Sequence, residues 1–163
     1  MDKYQELSAN LFFINNGEID LLTGVMAPAR FNQIVDRDLK LANRNLTQLS
    51  IICVNLNLAK FLESKFKVNT LTSQQLISEI ESELVSISFG LKNTFRQTDC
   101  ICRISQLGFW IFLVGRSASD ADQLLDRAKR SLPIYLDLDI SDRDEKWSQL
   151  DWYSQIDRLQ FKS

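Results

Sequence analysis

Two short apolar runs, Cys100–Ile104 and Phe109–Val114, are separated only by Ser105-Gln106-Leu107-Gly108. A connection that short cannot carry a crossover, so the two runs are expected to pair antiparallel as a β-hairpin with a four-residue loop. A lone hairpin is marginal in water, so this one needs further strands and a covering layer of helices.

The rest of the chain supplies both. Pro28 suits the first turn of a helix, where a missing N–H does no harm. Phe31, Ile34, Val35, Leu39 and Ala42 then recur at helical spacing, which predicts a helix over 28–45. Ser50–Leu56 is apolar and β-branched, as expected of a buried central strand. Residues 58–68 can form a short helix. Thr70, Thr72 and Ser73 offer caps for a long helix whose stripe is Leu76, Ile77, Ile80, Leu84, Ile87 and Leu91, ending near Phe95 or Arg96. Gly90 weakens that helix by about 1 kcal/mol relative to Ala. Ser119 is placed as the cap of a helix over 120–130, with Ala121, Leu124, Leu125 and Ala128 inward. Ile134–Ile140 alternates like a half-exposed strand, and Trp147–Phe161 has the pattern of a last amphipathic helix. Leu11–Ile14 is read as a short strand before the Asn15-Asn16-Gly17 turn. A hairpin with long helices on one sheet gives an α+β class, an α/β sandwich, rather than a doubly wound parallel sheet.

The 163 residues fit one compact domain, which needs no staples to fold. A net charge of −2 gives no footprint for nucleic acid. The longest apolar runs are too short to span a bilayer, and Met1–Glu6 has no signal-peptide pattern, so a cytoplasmic protein is expected. With no histidine, Ser-His and Cys-His catalysis are excluded. Cys53, Cys100 and Cys102 are read as reduced and buried, with Cys100 and Cys102 on one strand face. No metal or cofactor is expected.

Several segments, in order, resemble the GGDEF family of bacterial diguanylate cyclases. These are Asp20-Leu21-Leu22-Thr23-Gly24; Phe31 and Ala42-Asn43-Arg44 on the first long helix; the strand Leu49–Asn57; Arg96-Gln97-Thr98-Asp99; the strand with Arg103; and Ser105-Gln106-Leu107-Gly108-Phe109, where the family has Gly-Gly-Asp/Glu-Glu-Phe. The resemblance implies a nucleotidyl-cyclase-like fold, with a central, mostly antiparallel sheet, flanking helices and the hairpin at 100–114. It divides the chain into an N-terminal extension over 1–19 and a single degenerate domain over 20–163.

It also shows what is missing. The family's chemistry needs metal ions on a triphosphate, and magnesium wants hard carboxylate oxygens. The strand position is Asn55, with Asn57 two residues on. The acidic turn positions are Leu107 and Gly108. The glycines that let backbone approach phosphate are Ser105 and Gln106. The guanine-reading pair falls near Glu63-Ser64, Ala27-Pro28-Ala29 stands where the family has Asn-Arg-Arg, and the family's C-terminal pattern is absent. Arg96 and Asp99 match the Arg-x-x-Asp of the family's inhibitory site, where Arg meets phosphate or a guanine edge and Asp accepts from guanine N–H groups. The expectation is therefore a catalytically inactive signalling domain. Either it is a cyclic di-GMP receptor through Arg96 and Asp99, or it is a ligand-free module that binds a protein partner through its degenerate face or its aromatic tail; an active diguanylate cyclase ranks third. The plainer alternatives are an Arg96–Asp99 surface ion pair, Asn55 and Asn57 as caps, Asp137–Glu145 as a solvated strand edge and turn, and Trp147, Trp152 and Tyr153 as packing for the last helix.

Overall fold

The computed structural model of the chain describes residues 2–65 and 71–160. The described elements are α1 (Lys3–Ala9), α2 (Pro28–Asn45), β1 (Leu49–Leu56), α3 (Leu58–Lys65), α4 (Ser73–Thr94), β2 (Cys100–Arg103), β3 (Gly108–Val114), α5 (Ala118–Ser131), β4 (Leu136–Asp142) and α6 (Gln149–Gln160). The strands form one sheet in the order β2-β3-β1-β4, with every neighbouring pair antiparallel. This is the expected α+β sandwich built around the hairpin.

β1 sits between β3 and β4, and both its faces are covered. Its alternating side chains therefore feed two cores, which explains a continuous apolar run in place of alternation. Ile52, Val54 and Leu56 join α3, α4 and α5 through Leu62, Leu84 and Leu124. Ile51 and Cys53 join α2 and α6 through Phe31, Val35, Trp152 and Ile156. Leu7 and Leu11, from α1 and the loop after it, belong to the first of these cores.

Several expectations shift in position. α5 is capped by Ser117, not Ser119, because the Ser117 hydroxyl oxygen accepts from the Asp120 N–H and the backbone is already helical at Ala118. β4 starts at Leu136, since Pro133 and Tyr135 lie in a turn closed by Leu136 N–H on the Pro133 carbonyl, leaving Ile134 91% exposed. α4 starts from a Thr72–Gln75 capping box. Thr70 and residues 66–68 lie outside the described residues. Gly90 has a packing reason within α4: a Cβ there would lie 3.0 Å from Leu132 Cδ2.

Leu11–Ile14 is not a strand. Both backbone groups of Phe12 are taken by side chains: its N–H donates to Glu81 Oε2, and its carbonyl accepts from Arg103 Nη1 at 2.6 Å. With those groups engaged, no ladder forms.

Arg103 is the centre of this corner. It is fully buried, and Nη1 reaches Asp20 Oδ1 at 3.2 Å, a carboxylate itself 1% exposed. Nη2 donates to the Gln106 carbonyl at 2.9 Å, and the guanidinium lies 5.0 Å from the centre of the Phe13 ring. Burial pulls the Arg103 pKa down, and the adjoining Asp20 carboxylate opposes that shift. Asp20 also accepts from the Thr23 N–H and hydroxyl, while Gly24 turns the chain at φ +75° with its N–H on the Asp20 carbonyl. The Asp-Leu-Leu-Thr-Gly signature is thus a closed loop that presents a carboxylate to Arg103. Beyond it, Met26 forms a parallel bridge with Cys102 and covers the outer edge of β2.

Removing one partner of a buried pair strands the other, at about 3–5 kcal/mol. Asp20→Ala is therefore expected to lower unfolding free energy by about that amount in urea titration. Lys40→Ala breaks an exposed pair with Asp36 on α2 and is expected to cost less than about 0.5 kcal/mol. Equal losses from the two variants would contradict this ranking.

Candidate functional site

The hairpin joins two places where function could reside. At one end of β2 is the turn Ile104–Leu107; at the other is Arg96–Asp99, between α4 and the sheet.

At the turn, antiparallel register sets Asn55 directly opposite Gly108. These are the strand position and one of the turn positions at which the resemblance calls for carboxylates. The contact is too close for a side chain on Gly108. A Cβ there would lie 2.7 Å from Asn55 Oδ1 and 2.6 Å from Ser105 Oγ. The turn is pinned by Leu56 N–H on the Leu107 carbonyl, Ile104 N–H on the Gly108 carbonyl, and Arg103 on Gln106. Asn55, Ser105, Gln106, Leu107, Trp110 and Asp157 are among the residues around a hollow of about 580 Å³. Asn57 serves the fold: its Oδ1 accepts from Lys60 N–H at the start of α3 and its Nδ2 donates to Asp137. Glu63 and Ser64 lie in the last turn of α3, with the Ser64 hydroxyl donating to the Phe61 carbonyl.

This donor set does not fit the metal ions that the resemblance calls for. An amide, a glycine and a leucine stand where hard anionic oxygens are needed. Among the described residues, no group of three or more His, Cys, Asp or Glu side chains is placed to hold a metal.

At the other end, the Asp99 N–H closes a turn on the Arg96 carbonyl, and Asp99 Oδ2 accepts from the Arg96 N–H at 2.9 Å. The same oxygen accepts from Arg116 Nη2 at 3.1 Å, in a pair whose side chains are 16% and 3% exposed. Asp99 therefore pairs with Arg116 rather than with the Arg96 guanidinium, which corrects the surface-pair alternative. Arg96 is exposed at a hollow of about 370 Å³ that Lys92, Gln97, Asp99, Cys100 and Met26 also line. Arg116 had a signal in the sequence only through register: the pairing of Cys100 with Phe112 carries residue 116 back beside 96–99. Arg116 also borders a second hollow, with Arg127 and Arg130.

The aromatic tail is packing. Trp152 is fully buried and its Nε1 donates to Ser141 Oγ at 3.0 Å, while the Tyr153 hydroxyl donates to Asn32 Oδ1 and its ring meets Trp110 edge-on at 5.0 Å. Asp137 and Asp139 lie on β4 at the sheet's edge, and Asp144 caps its own turn through the Lys146 N–H. All three thiols are free. Burial pushes Cys53 and Cys102 up to about 12, with Asp139 and Asp157 adding to the effect at Cys53, and Asp20 and Cys100 at Cys102. No described helix is long and apolar enough to cross a membrane.

No profile of a known protein family matches the sequence, and no curated protein matches it significantly. Solved structures do match. The GGDEF domain of FimX from Pseudomonas aeruginosa aligns with a TM-score of 0.67 at 16% identity, over 86% of this chain and 90% of that one. The GGDEF domain of DgcB from Caulobacter crescentus, in complex with c-di-GMP, gives 0.70 at 11% identity over 88% of each chain. The diguanylate cyclase SiaD from Pseudomonas aeruginosa, in complex with its activator SiaC, gives 0.66 at 14% identity, over 86% of this chain and 54% of that one. The chain has a GGDEF-like fold.

Two outcomes follow from the packing. Gly108→Ala is expected to cost about 1–3 kcal/mol through overpacking, and less in an Asn55→Ala background, because one of the opposing atoms is then gone. Identical costs in the two backgrounds, read by urea titration, would contradict the contact. The thiols give a pH dependence. Their folded pKa is raised, so their stabilising contribution is complete below the ordinary value of 9.0 and is lost as pH rises towards 12. Between pH 9 and 10.5 each thiol should remove about 1–2 kcal/mol of stability. A Cys53→Ala/Cys102→Ala variant should show a flatter decline, and a parallel decline would count against buried neutral thiols.

Proposed function

We propose that this chain is a non-catalytic, GGDEF-like signalling domain that takes cyclic di-GMP in the hollow beside Arg96 and Asp99. The observation that carries the reading is the contrast between the two ends of β2. At the turn, Asn55 lies against Gly108 without room or charge for a metal-binding carboxylate. At the other end, the exposed Arg96 borders a hollow open to a ligand, and Lys92 also lines it. Arg supplies a planar fork and Lys a point charge, both suited to phosphate oxygens. The c-di-GMP named with the DgcB domain supports the choice of ligand.

A protein-binding module is the second reading. Phe12, Ile14, Ile19 and Leu21 are between 39 and 55% exposed in one stretch of chain beside the buried Asp20–Arg103 pair. The activator named with SiaD is a precedent for such a partner. With the tail aromatics engaged in the core, this stretch and the hairpin turn are the surfaces such a partner would use.

Isothermal titration separates the two. Cyclic di-GMP should bind with a Kd below tens of micromolar, and Arg96→Ala should weaken it by about tenfold, the loss of a charge-assisted contact of about 1.5 kcal/mol. Absence of heat at those concentrations, or undiminished affinity in Arg96→Ala, would overturn the ligand reading. Capture of a partner insensitive to added cyclic di-GMP would favour the second.

A further inference from the structure

We propose that Arg116 sets what this site reads: by holding the Asp99 carboxylate it leaves a hollow that recognises the phosphates of a cyclic dinucleotide and not the guanine base. This deepens the ligand reading given above and rests on it.

Guanine presents two adjacent donors, N1–H and the N2 amino group, and a carboxylate recognises that edge by offering both oxygens to two parallel hydrogen bonds. Asp99 is not available for that. Its Oδ2 already accepts from the Arg96 backbone N–H at 2.9 Å and from Arg116 Nη2 at 3.1 Å. Its side chain is 3% exposed, so although Asp99 lines the hollow, a base edge cannot engage both oxygens at once. Arg116 is itself committed to this contact. Its Nε is buried without a partner, and Asp99 is its polar anchor among the described residues.

The charge balance follows. Arg116 pairs with Asp99, which leaves the exposed Arg96 as a cation at the hollow with no carboxylate partner among the described residues. Phosphates are equally present in every cyclic dinucleotide. Adenine differs from guanine on the edge that an exposed Asp99 would meet: it offers the N1 lone pair where guanine offers a donor. An unmasked carboxylate would therefore reject adenine, because an acceptor would face an acceptor in a buried site. With the carboxylate masked, that discrimination is lost.

Titration of the full chain with cyclic di-GMP and cyclic di-AMP, for wild type, Arg116→Ala and Arg116→Gln, tests this, with circular dichroism as the check on folding. The wild type should bind both nucleotides with Kd values within about threefold of one another, since phosphate contacts carry no base information. Arg116→Ala should favour cyclic di-GMP by at least about tenfold, as a site with a free acceptor discriminates against the mismatched edge. Arg116→Gln keeps a neutral donor and should fall between them. A wild type that already prefers guanine by tenfold, or a ratio unmoved by both substitutions, overturns the role of Arg116. Should neither nucleotide bind wild type or variants, the ligand reading itself fails and this inference with it. The wild-type ratio decides the matter even where a variant does not fold.

Discussion

The buried Asp20–Arg103 pair is the contact on which the arrangement of the site depends. It ties three separate stretches to one guanidinium: the segment at Phe12 and Phe13, the Asp20–Gly24 loop, and the hairpin turn at Gln106. Taking two charges out of water is costly, and an ion pair repays that cost only with good geometry and added hydrogen bonds. Here the extra bonds come from backbone carbonyls and from Thr23. The consequence is positional. The hairpin turn is held from beneath, at Gln106, and β2 gains an edge partner in Met26 from the chain just beyond the loop.

Held in this way, the turn faces the end of β1 at a separation that suits the residues present. Asn55 and Gly108 are cross-strand partners, and the missing Cβ at Gly108 is what lets Asn55 and Ser105 occupy the space. Restoring a carboxylate at Gly108 alone would therefore meet a steric obstacle before it met a chemical one. Among the described residues, no group of three or more His, Cys, Asp or Glu side chains is placed there to hold a metal. At the far end of β2, the same strand register brings Arg116 to Asp99. One hairpin thus sets Asn55 against Gly108 at one end and Arg116 against Asp99 at the other.

Much of the fold was legible because its signals are local. Pro28 and the Phe31–Ala42 stripe gave α2 to the residue, and the apolar run at 50–56 marked β1 because a strand buried on both faces leaves no polar positions. What was missed depended on distant partners. Leu11–Ile14 has the composition of a strand, yet Glu81 and Arg103 take the backbone groups of Phe12 at its middle. The shift of the α5 cap from Ser119 to Ser117 was a choice between serines two residues apart that only backbone geometry decides. In the site, the substitutions at Asn55, Leu107 and Gly108 could be read from the chain, but their mutual contact could not. Nothing in the neighbourhood of Arg116 marks it; its signal comes only from register with residues near 96–99.

A GGDEF-like fold with an amide, a leucine and a glycine at the positions where the resemblance calls for carboxylates is proposed to be non-catalytic. Incubation of the protein with GTP and magnesium, followed by chromatography for cyclic di-GMP, addresses that most directly. No product above a protein-free control is expected, because Asn55, Leu107 and Gly108 offer no carboxylate to the metal. Steady accumulation of cyclic di-GMP in proportion to protein concentration would contradict it.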